Sequence, residues 1–343
     1  MNEPLRVLLT GFEPFGGHQR NISAEVATAL SGLQTISNPW NKKEILIQVE
    51  IEILTVDEPG SLKIAQRLRN GERWDAILHL GLCEQCEQPR IERLARNELN
   101  MRIPDNRGRL LRNQPITNGG HRGTWVDPTI WPAQFFPSPY SISTDAGAFL
   151  CNETYFRTLH ALADQPVTQS LPIPCIFVHL PSETILNRPQ SSGFVAKCLQ
   201  HLLFPYPEDI VHVVAALLPI DEFNHLVVQK HHEESQHCVW EYPGGKCKPD
   251  EDLMHAIKRE LQEELSLEVK PEQLLGTWVS QQNDSWFAVH LIKCDWSRIT
   301  DDIHLTEHSD WKSISVIEQS LLKWHGRDEE MYQFLCSLAL KPS

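Results

Sequence analysis

The sequence predicts an α/β protein of two modules in series: an open, mostly parallel α/β/α sheet, then a smaller α/β sandwich on a mixed sheet. Three observations carry this expectation. The chain has 343 residues, enough for two domains of roughly 150 each. Short apolar runs alternate with helical patterns through the first part, the signature of a parallel sheet covered on both faces. The charge is lopsided: residues 1–207 hold 19 basic and 20 acidic side chains, residues 208–343 hold 12 and 25, so nearly all of the net −14 lies in the second module.

In chain order, Leu5–Phe12, Ile45–Leu54, Ala76–Leu82 and Cys175–Leu180 are nearly continuous apolar stretches bounded by Gly or Pro, and read as buried strands. Helical spacing of apolar residues occupies Ser23–Leu33, Ser61–Arg69 and Asn152–Ala163. Residues 102–139 carry many Gly, Pro and Asn without a period and read as a long functional loop. The prolines of Phe204-Pro205-Tyr206-Pro207-Glu208-Asp209 interrupt the pattern where the charge balance changes. This places the first domain at 1–203, a linker at 204–209 and the second domain at 210–343. The second domain reads as strands at Val211–Pro219, Leu226–Gln229 and Val239–Tyr242, a strong helix at Asp252–Leu265, strands at Leu274–Val279 and Trp286–Lys293, and two short closing helices.

Composition excludes several function classes. With 41% hydrophobic and 22% charged residues the chain is neither disordered nor collagen-like. No apolar run approaches the roughly 18 residues of a membrane-spanning helix, and Met1 to Arg6 lacks the order of a signal peptide. Nine irregularly spaced cysteines suit a reducing cytoplasm better than a disulfide framework. A cytoplasmic protein without membrane contact is expected. A nucleic-acid polymer is not an expected partner, because phosphate-backbone binding needs clustered Lys and Arg.

Taken singly, Cys151 reads as a buried thiol, His179 as a satisfied core histidine and Glu92 as part of a solvated face. Their setting changes that reading. Cys151 precedes a helical pattern, where a helix N-terminus favours thiolate. His179 closes a strand, and open α/β sheets place their ligands at such carboxyl ends. Thiol, imidazole and carboxylate are the parts of a cysteine-nucleophile triad.

The motifs Gly11-Phe12-Glu13-Pro14-Phe15-Gly16-Gly17 with Asn21 and Ser23, Glu92-Arg93-Leu94-Ala95-Arg96-Asn97, Ile103-Pro104-Asp105-Asn106, Ala146-Gly147 through Cys151-Asn152, and Phe177-Val178-His179-Leu180-Pro181 resemble the pyroglutamyl peptidases, in that family's order. The resemblance implies release of N-terminal pyroglutamate from peptides on an open α/β sheet without a cofactor. By position, Cys151 would be the nucleophile, His179 the base and Glu92 the orienting carboxylate. Phe12, Phe15, Phe149 and Leu150 would wall the lactam pocket, Asn21 would belong to the substrate site, and Arg93 would contribute to the oxyanion environment. Two segments depart from the family. Leu82-Cys83-Glu84-Gln85-Cys86-Glu87-Gln88-Pro89-Arg90 stands where the family has a small Gly-rich turn. Residues 125–141 carry Pro128, Pro132, Pro137 and Pro139 where it has an amphipathic helix. Both bear on pocket shape and on whether copies assemble through this domain. Cys83-x-x-Cys86 has no second pair at zinc spacing.

In the second module, Gly245 is followed after five residues by Glu251, and after seven more by Arg259-Glu260-Leu261-Gln262-Glu263-Glu264-Leu265. Glu260, Glu263 and Glu264 share a helix face, where carboxylates repel unless a hard divalent cation sits among them. The Pro243-Gly244-Gly245 loop lets backbone carbonyls approach such an ion. This spacing is similar to the Nudix box, with Ser266 at its late glycine, and Trp240-Glu241-Tyr242-Pro243-Gly244-Gly245-Lys246 resembles the MutT-like branch. The resemblance implies an α/β Nudix sandwich that hydrolyses nucleoside triphosphates to monophosphate and pyrophosphate. Mg2+ or Mn2+ would be held by Gly244, Glu260, Glu263, Glu264 and Glu307, with Glu263 also catalytic and Gly245, Glu251 and Arg259 in support. Oxidised dGTP, other dNTPs and CTP remain open as its substrate. The alternative to a bifunctional hydrolase keeps one domain as a non-catalytic binding or regulatory module.

Overall fold

The computed structural model describes residues 3–165, 171–231, 238–318 and 320–339. Two compact units emerge, the first from Met1–Gln165 and Ile173–Glu208, the second from Asp209–Ser343. Residues 204–208, expected to act as linker, are fastened to the first unit: Trp40 Nε1 donates to the Phe204 carbonyl and Asn41 Nδ2 to Glu208, each at 2.8 Å.

The first unit runs β1 (Leu5–Phe12), α1 (Ile22–Ala29), β2 (Gly32–Ser37), β3 (Glu44–Leu54), α2 (Glu58–Arg69), β4 (Ala76–Leu82), β5 (Arg90–Glu92), β6 (Leu94–Ala95), β7 (Arg122–Gly123), β8 (Ser141–Ser143), α3 (Leu150–Ala163), β9 (Cys175–Leu180) and α4 (Arg188–Leu203). Seven strands form one sheet in the order β2-β3-β1-β4-β9-β5-β8. Its centre, β3-β1-β4-β9, is parallel, while β2 and β5 run antiparallel to their inner neighbours. Val7, Leu8 and Leu9 are all fully buried, as both faces of a central strand must be when helices cover each. The chain reverses about β1 and β4, whose carboxyl ends, with that of β9, therefore open on one crevice.

Three expectations shift here. The helix expected over Ser23–Leu33 stops at Ala29, because Gly32 takes φ +94° and starts the edge strand β2. α4 was not expected from the pattern. Residues 125–141, with two short 3₁₀ turns at Pro128–Ile130 and Ala133–Phe135, pack on it: Trp131 and Phe136 stack on His201, and Phe136 meets Phe194. Finally, Cys83 and Cys86 form a disulfide just beyond β4, a single clip where thiols were expected.

The second unit runs β10 (Val211–Pro219), β11 (Asn224–His231), β12 (Cys238–Glu241), α5 (Leu253–Leu265), β13 (Lys270–Gln282), β14 (Ser285–Asp295), β15 (Asp310–Ser315) and α6 (Asp328–Leu338). Its sheet order is β12-β11-β10-β14-β13, with β15 on β11. Among the described strands β10 and β14 pair in parallel and the other pairs are antiparallel, so the sheet is mixed. α5 packs on β10 and β13. Met331, Phe334 and Leu335 of α6 join Ala215, Tyr242, Trp278 and Leu291 in a buried cluster. Among the described residues one α-helix, α6, closes the chain where two short helices were expected, and Asp310–Ser315 pairs as a strand. Ser266, at the box's late glycine, ends α5 at φ +57°, and Leu267 N–H returns to the Leu261 carbonyl at 3.2 Å. Among the described residues no helix is long and apolar enough to cross a membrane.

Candidate active sites

Cys151 is the second residue of α3, whose opening amides lack intrahelical partners. His179 lies near the carboxyl end of β9, and Glu92 ends β5, antiparallel to it. This folding brings together residues far apart in sequence. His179 Nδ1 lies 2.8 Å from Glu92 Oε1, and the Cys151 thiol hydrogen-bonds the same imidazole. Glu92 is fully buried and His179 nearly so. Burial pulls the imidazolium down, but the hydrogen bonds and charges of Cys151 and Glu92 outweigh it, lifting His179 to about 9. Tyr155, one turn beyond Cys151, donates its hydroxyl to the Glu92 carbonyl at 3.0 Å and so ties α3 to β5.

The thiol opens on a cavity of about 610 Å³ lined by Phe12, Phe15, Phe149 and Leu150, with Asn21 and Glu84 among the polar groups. Phe15 and Phe149 meet at 5.3 Å. Asn21 is committed to structure: it caps α1 by accepting from Ser23 N–H and Oγ, and donates to the Glu13 carbonyl. Ser23 Oγ in turn accepts the Phe12 N–H at 3.0 Å, so Asn21 shapes the aromatic wall through the backbone. Arg93 is buried just beyond β5 and is not among the residues lining the cavity. Gly81 sits opposite His179 on β4; a Cβ there would lie 2.9 Å from Cys151 Sγ and 2.8 Å from the Phe177 ring. Sequence reasoning missed Arg90, whose Nε donates to Glu92 Oε1 at 2.7 Å. The signal was available: two residues apart on a strand, Arg90 and Glu92 share a face.

In the second unit, Gly244 φ is +147° and any Cβ would overlap the Val214 carbonyl, so only glycine allows the loop to lie along β10. The Pro243 and Gly245 carbonyls accept from Ala216 and Val214, while Gly244 N–H donates to Glu264 Oε2 at 3.0 Å. Arg259 makes two hydrogen bonds to Glu251, at 2.7 and 2.8 Å, which hold the Glu251 carboxyl down to about 2. The same guanidinium reaches Glu260 at 2.7 Å and Glu263 at 3.0 Å. Burial raises Glu264 to about 7, against the opposing effects of His308 and the Gly244 N–H. Glu307 is exposed, one residue after Thr306, whose N–H donates to the Glu264 carbonyl. Among the described residues these carboxylates do not converge into a ready-made metal cage. Their chemistry nevertheless suits a hard cation. A Cβ on Gly245 would stand 2.5 Å from the Glu260 carboxyl carbon, so the loop leaves room at the carboxylates that a side chain would fill.

A thiol, an imidazole and a carboxylate in hydrogen-bonded series on an open α/β sheet form the arrangement of a cysteine hydrolase. The comparisons agree: the pyroglutamyl peptidase family matches residues 5–193, and the NUDIX domain matches residues 211–335. The chain belongs to the pyroglutamyl peptidase family and carries a NUDIX domain behind its peptidase domain. The pyrrolidone-carboxylate peptidase of Pyrococcus furiosus is 29% identical over 181 residues, 52% of this chain and 81% of its own. That of Deinococcus radiodurans is 32% identical over 181 residues, 51% of this chain and 78% of its own. A crystal structure of a mutant pyrrolidone carboxyl peptidase from P. furiosus aligns at TM-score 0.51 and 25% identity, covering 59% of this chain and 100% of that one.

Proposed function

We propose that the chain is a bifunctional hydrolase, removing N-terminal pyroglutamate from peptides in its first unit and splitting nucleoside triphosphates to monophosphate and pyrophosphate in its second. The observation that carries the peptidase half is the buried Glu92–His179–Cys151 series opening on a cavity walled by Phe12, Phe15 and Phe149. Cys151 Sγ attacks the pyroglutamyl carbonyl, and His179 hands its proton to the leaving amine. Water then releases pyroglutamate from the thioester with His179 as base. The oxyanion falls to backbone amides of the first turn of α3, the Cys151 N–H among them, in place of Arg93.

Glu260, Glu263 and Glu264 would hold Mg2+ or Mn2+, which supplies charge neutralisation and an activated water when bound. Glu251 would keep Arg259 in place beside them. A reading of the second unit as a nucleotide-binding module alone draws on the hold of Arg259 on Glu260 and Glu263. A paired screen of pyroglutamyl amides and nucleotides tests both halves on one preparation of wild type, Cys151→Ala and Glu263→Gln. Turnover in both, each lost with its own variant, is expected. A folded, reduced wild type inert toward every pyroglutamyl amide overturns the peptidase half, and one that binds nucleotides without releasing pyrophosphate leaves the binding module.

Two pH effects are expected. His179 titrates above its ordinary 6.5, so its contribution to stability is full below that pH and lost as pH rises through about 9. The imidazolium proton needed by the leaving amine goes with it, and kcat/KM for a pyroglutamyl amide should fall on an alkaline limb near 9. A limb near 6.5 would contradict the buried pairing. Glu264 also titrates high, so its burial becomes costly as pH rises from its ordinary 4.5 through about 7. Mg2+ should therefore raise the unfolding temperature of the second unit more at pH 8 than at pH 5.5, and Glu264→Gln should abolish the difference. Equal shifts at both pH values would count against Glu264 as a ligand.

A further inference from the structure

Among the buried charges of the first unit, Glu92 is compensated in an unusual way. Both of its side-chain partners converge on one oxygen: Oε1 lies 2.8 Å from His179 Nδ1 and 2.7 Å from Arg90 Nε. Oε2 is buried with no hydrogen-bond partner. Arg90 and His179 also face each other directly across the antiparallel β5–β9 pair, the position where like charges repel most strongly. Arg90 Nη2 is steadied by the Asp145 carbonyl at 3.4 Å.

We infer that Arg90 is a positioning residue of the peptidase site, which shares Glu92 Oε1 with His179 so that the buried carboxylate keeps a fixed cationic partner while its grip on the imidazolium proton is limited. This rests on the triad reading given above. With His179 as its sole partner, Glu92 would become a poorly compensated buried charge each time the imidazole gave its proton to the leaving amine. Arg90, always charged, supplies compensation that does not vary through the cycle. Its positive charge opposite His179 also makes the imidazolium a stronger acid. The other groups facing this pair come from every neighbouring element: Cys151 and Tyr155 from α3, Phe177 beside His179 on β9, and Gly81 from β4. In the adjoining chain Asp145 is paired with Arg96 at 2.9 Å and the buried Arg93 follows Glu92, while Arg90 joins His179 on the Glu92 carboxylate. Arg90 closes the 82–90 segment, whose sequence departs from the family resembled.

The test uses the full-length protein and two readouts on wild type, Arg90→Met and Arg90→Lys. The first is the pH dependence of alkylation by iodoacetamide, taken as the increment over Cys151→Ala so that other thiols cancel. The second is the pH dependence of kcat and kcat/KM for a pyroglutamyl amide. Arg90→Met should move the alkaline limb of both profiles up by about half to one pH unit and lower kcat several-fold, since the proton is held more tightly. Arg90→Lys should bring the limb back toward wild type. If Arg90→Met does not fold, Arg90→Gln removes the charge while keeping a donor and should shift the limb in the same way. Superimposable alkylation profiles for wild type and the neutral variant overturn the proposal, as does a lysine variant shifted as far as the methionine one. Alkylation reads the thiol–imidazole pair without substrate. A shifted alkylation profile with no amide turnover by any form therefore upholds Arg90 and refutes the peptidase reading, and normal turnover with unshifted profiles does the reverse.

Discussion

Replacing Cys151 by alanine is expected to lower pyroglutamyl-amide cleavage by on the order of 10⁴ to 10⁶, the loss typical when the nucleophile of a triad is removed. The size follows from the structure. Cys151 is the only triad member that forms a bond to substrate, and a methyl group leaves His179 and Glu92 as a hydrogen-bonded pair with nothing to activate. The fold should persist, because Cys151 is half-buried at the start of α3 and one sulfur is a small loss there. The check is fluorophore release from a pyroglutamyl amide, with pyrophosphate release measured on the same sample. A variant that keeps a tenth of wild-type cleavage would place the nucleophile elsewhere.

The second large effect is expected from Glu263→Gln. The substitution removes a carboxylate at nearly constant volume from a half-exposed side chain paired with Arg259 and Lys248. Phosphoryl transfer relies on neutralising charge that develops on oxygen, which is worth several kcal/mol, each 1.4 kcal/mol being tenfold in rate. Pyrophosphate release should fall by on the order of 10³, with cleavage of pyroglutamyl amides unchanged. Chelation should do the same, since a thiol–imidazole mechanism uses no metal. Equal loss of both activities on chelation would rule out this division of labour.

How much was legible beforehand depended on the element. The central strands β1, β4 and β9 are buried on both faces, and their continuous apolar runs announced them. β2 is an edge strand with Leu33 mostly exposed, and its alternation merged with the end of the preceding helix. α4 carries Ser191, Ser192 and Gly193 in its first two turns and buries His201 beneath Trp131 and Phe136, so no clear apolar stripe marks it. β15 is short and largely exposed, held by backbone pairing to β11 that no side-chain pattern records. The triad residues stood in long motifs and could be named, whereas their mutual distances depend on β5 returning antiparallel to β9. That return also sets Arg90 opposite His179, although its pairing with Glu92 two residues along the same strand could have been read locally. The committed roles of Asn21 as helix cap and of Arg259 as a hub for three carboxylates are likewise products of folding rather than of motif.

Gly81 carries a consequence for the evolvability of this enzyme. Every other amino acid would drive a carbon into the reactive sulfur and the Phe177 ring, and neither the start of α3 nor the centre of β9 has slack to yield. In a saturation library, position 81 should therefore accept one letter of the alphabet. Just after it, Leu82 and Glu84 line the cavity beside the Cys83–Cys86 disulfide. Variants that reshape the mouth of the pocket are therefore expected to keep the missing methyl at position 81.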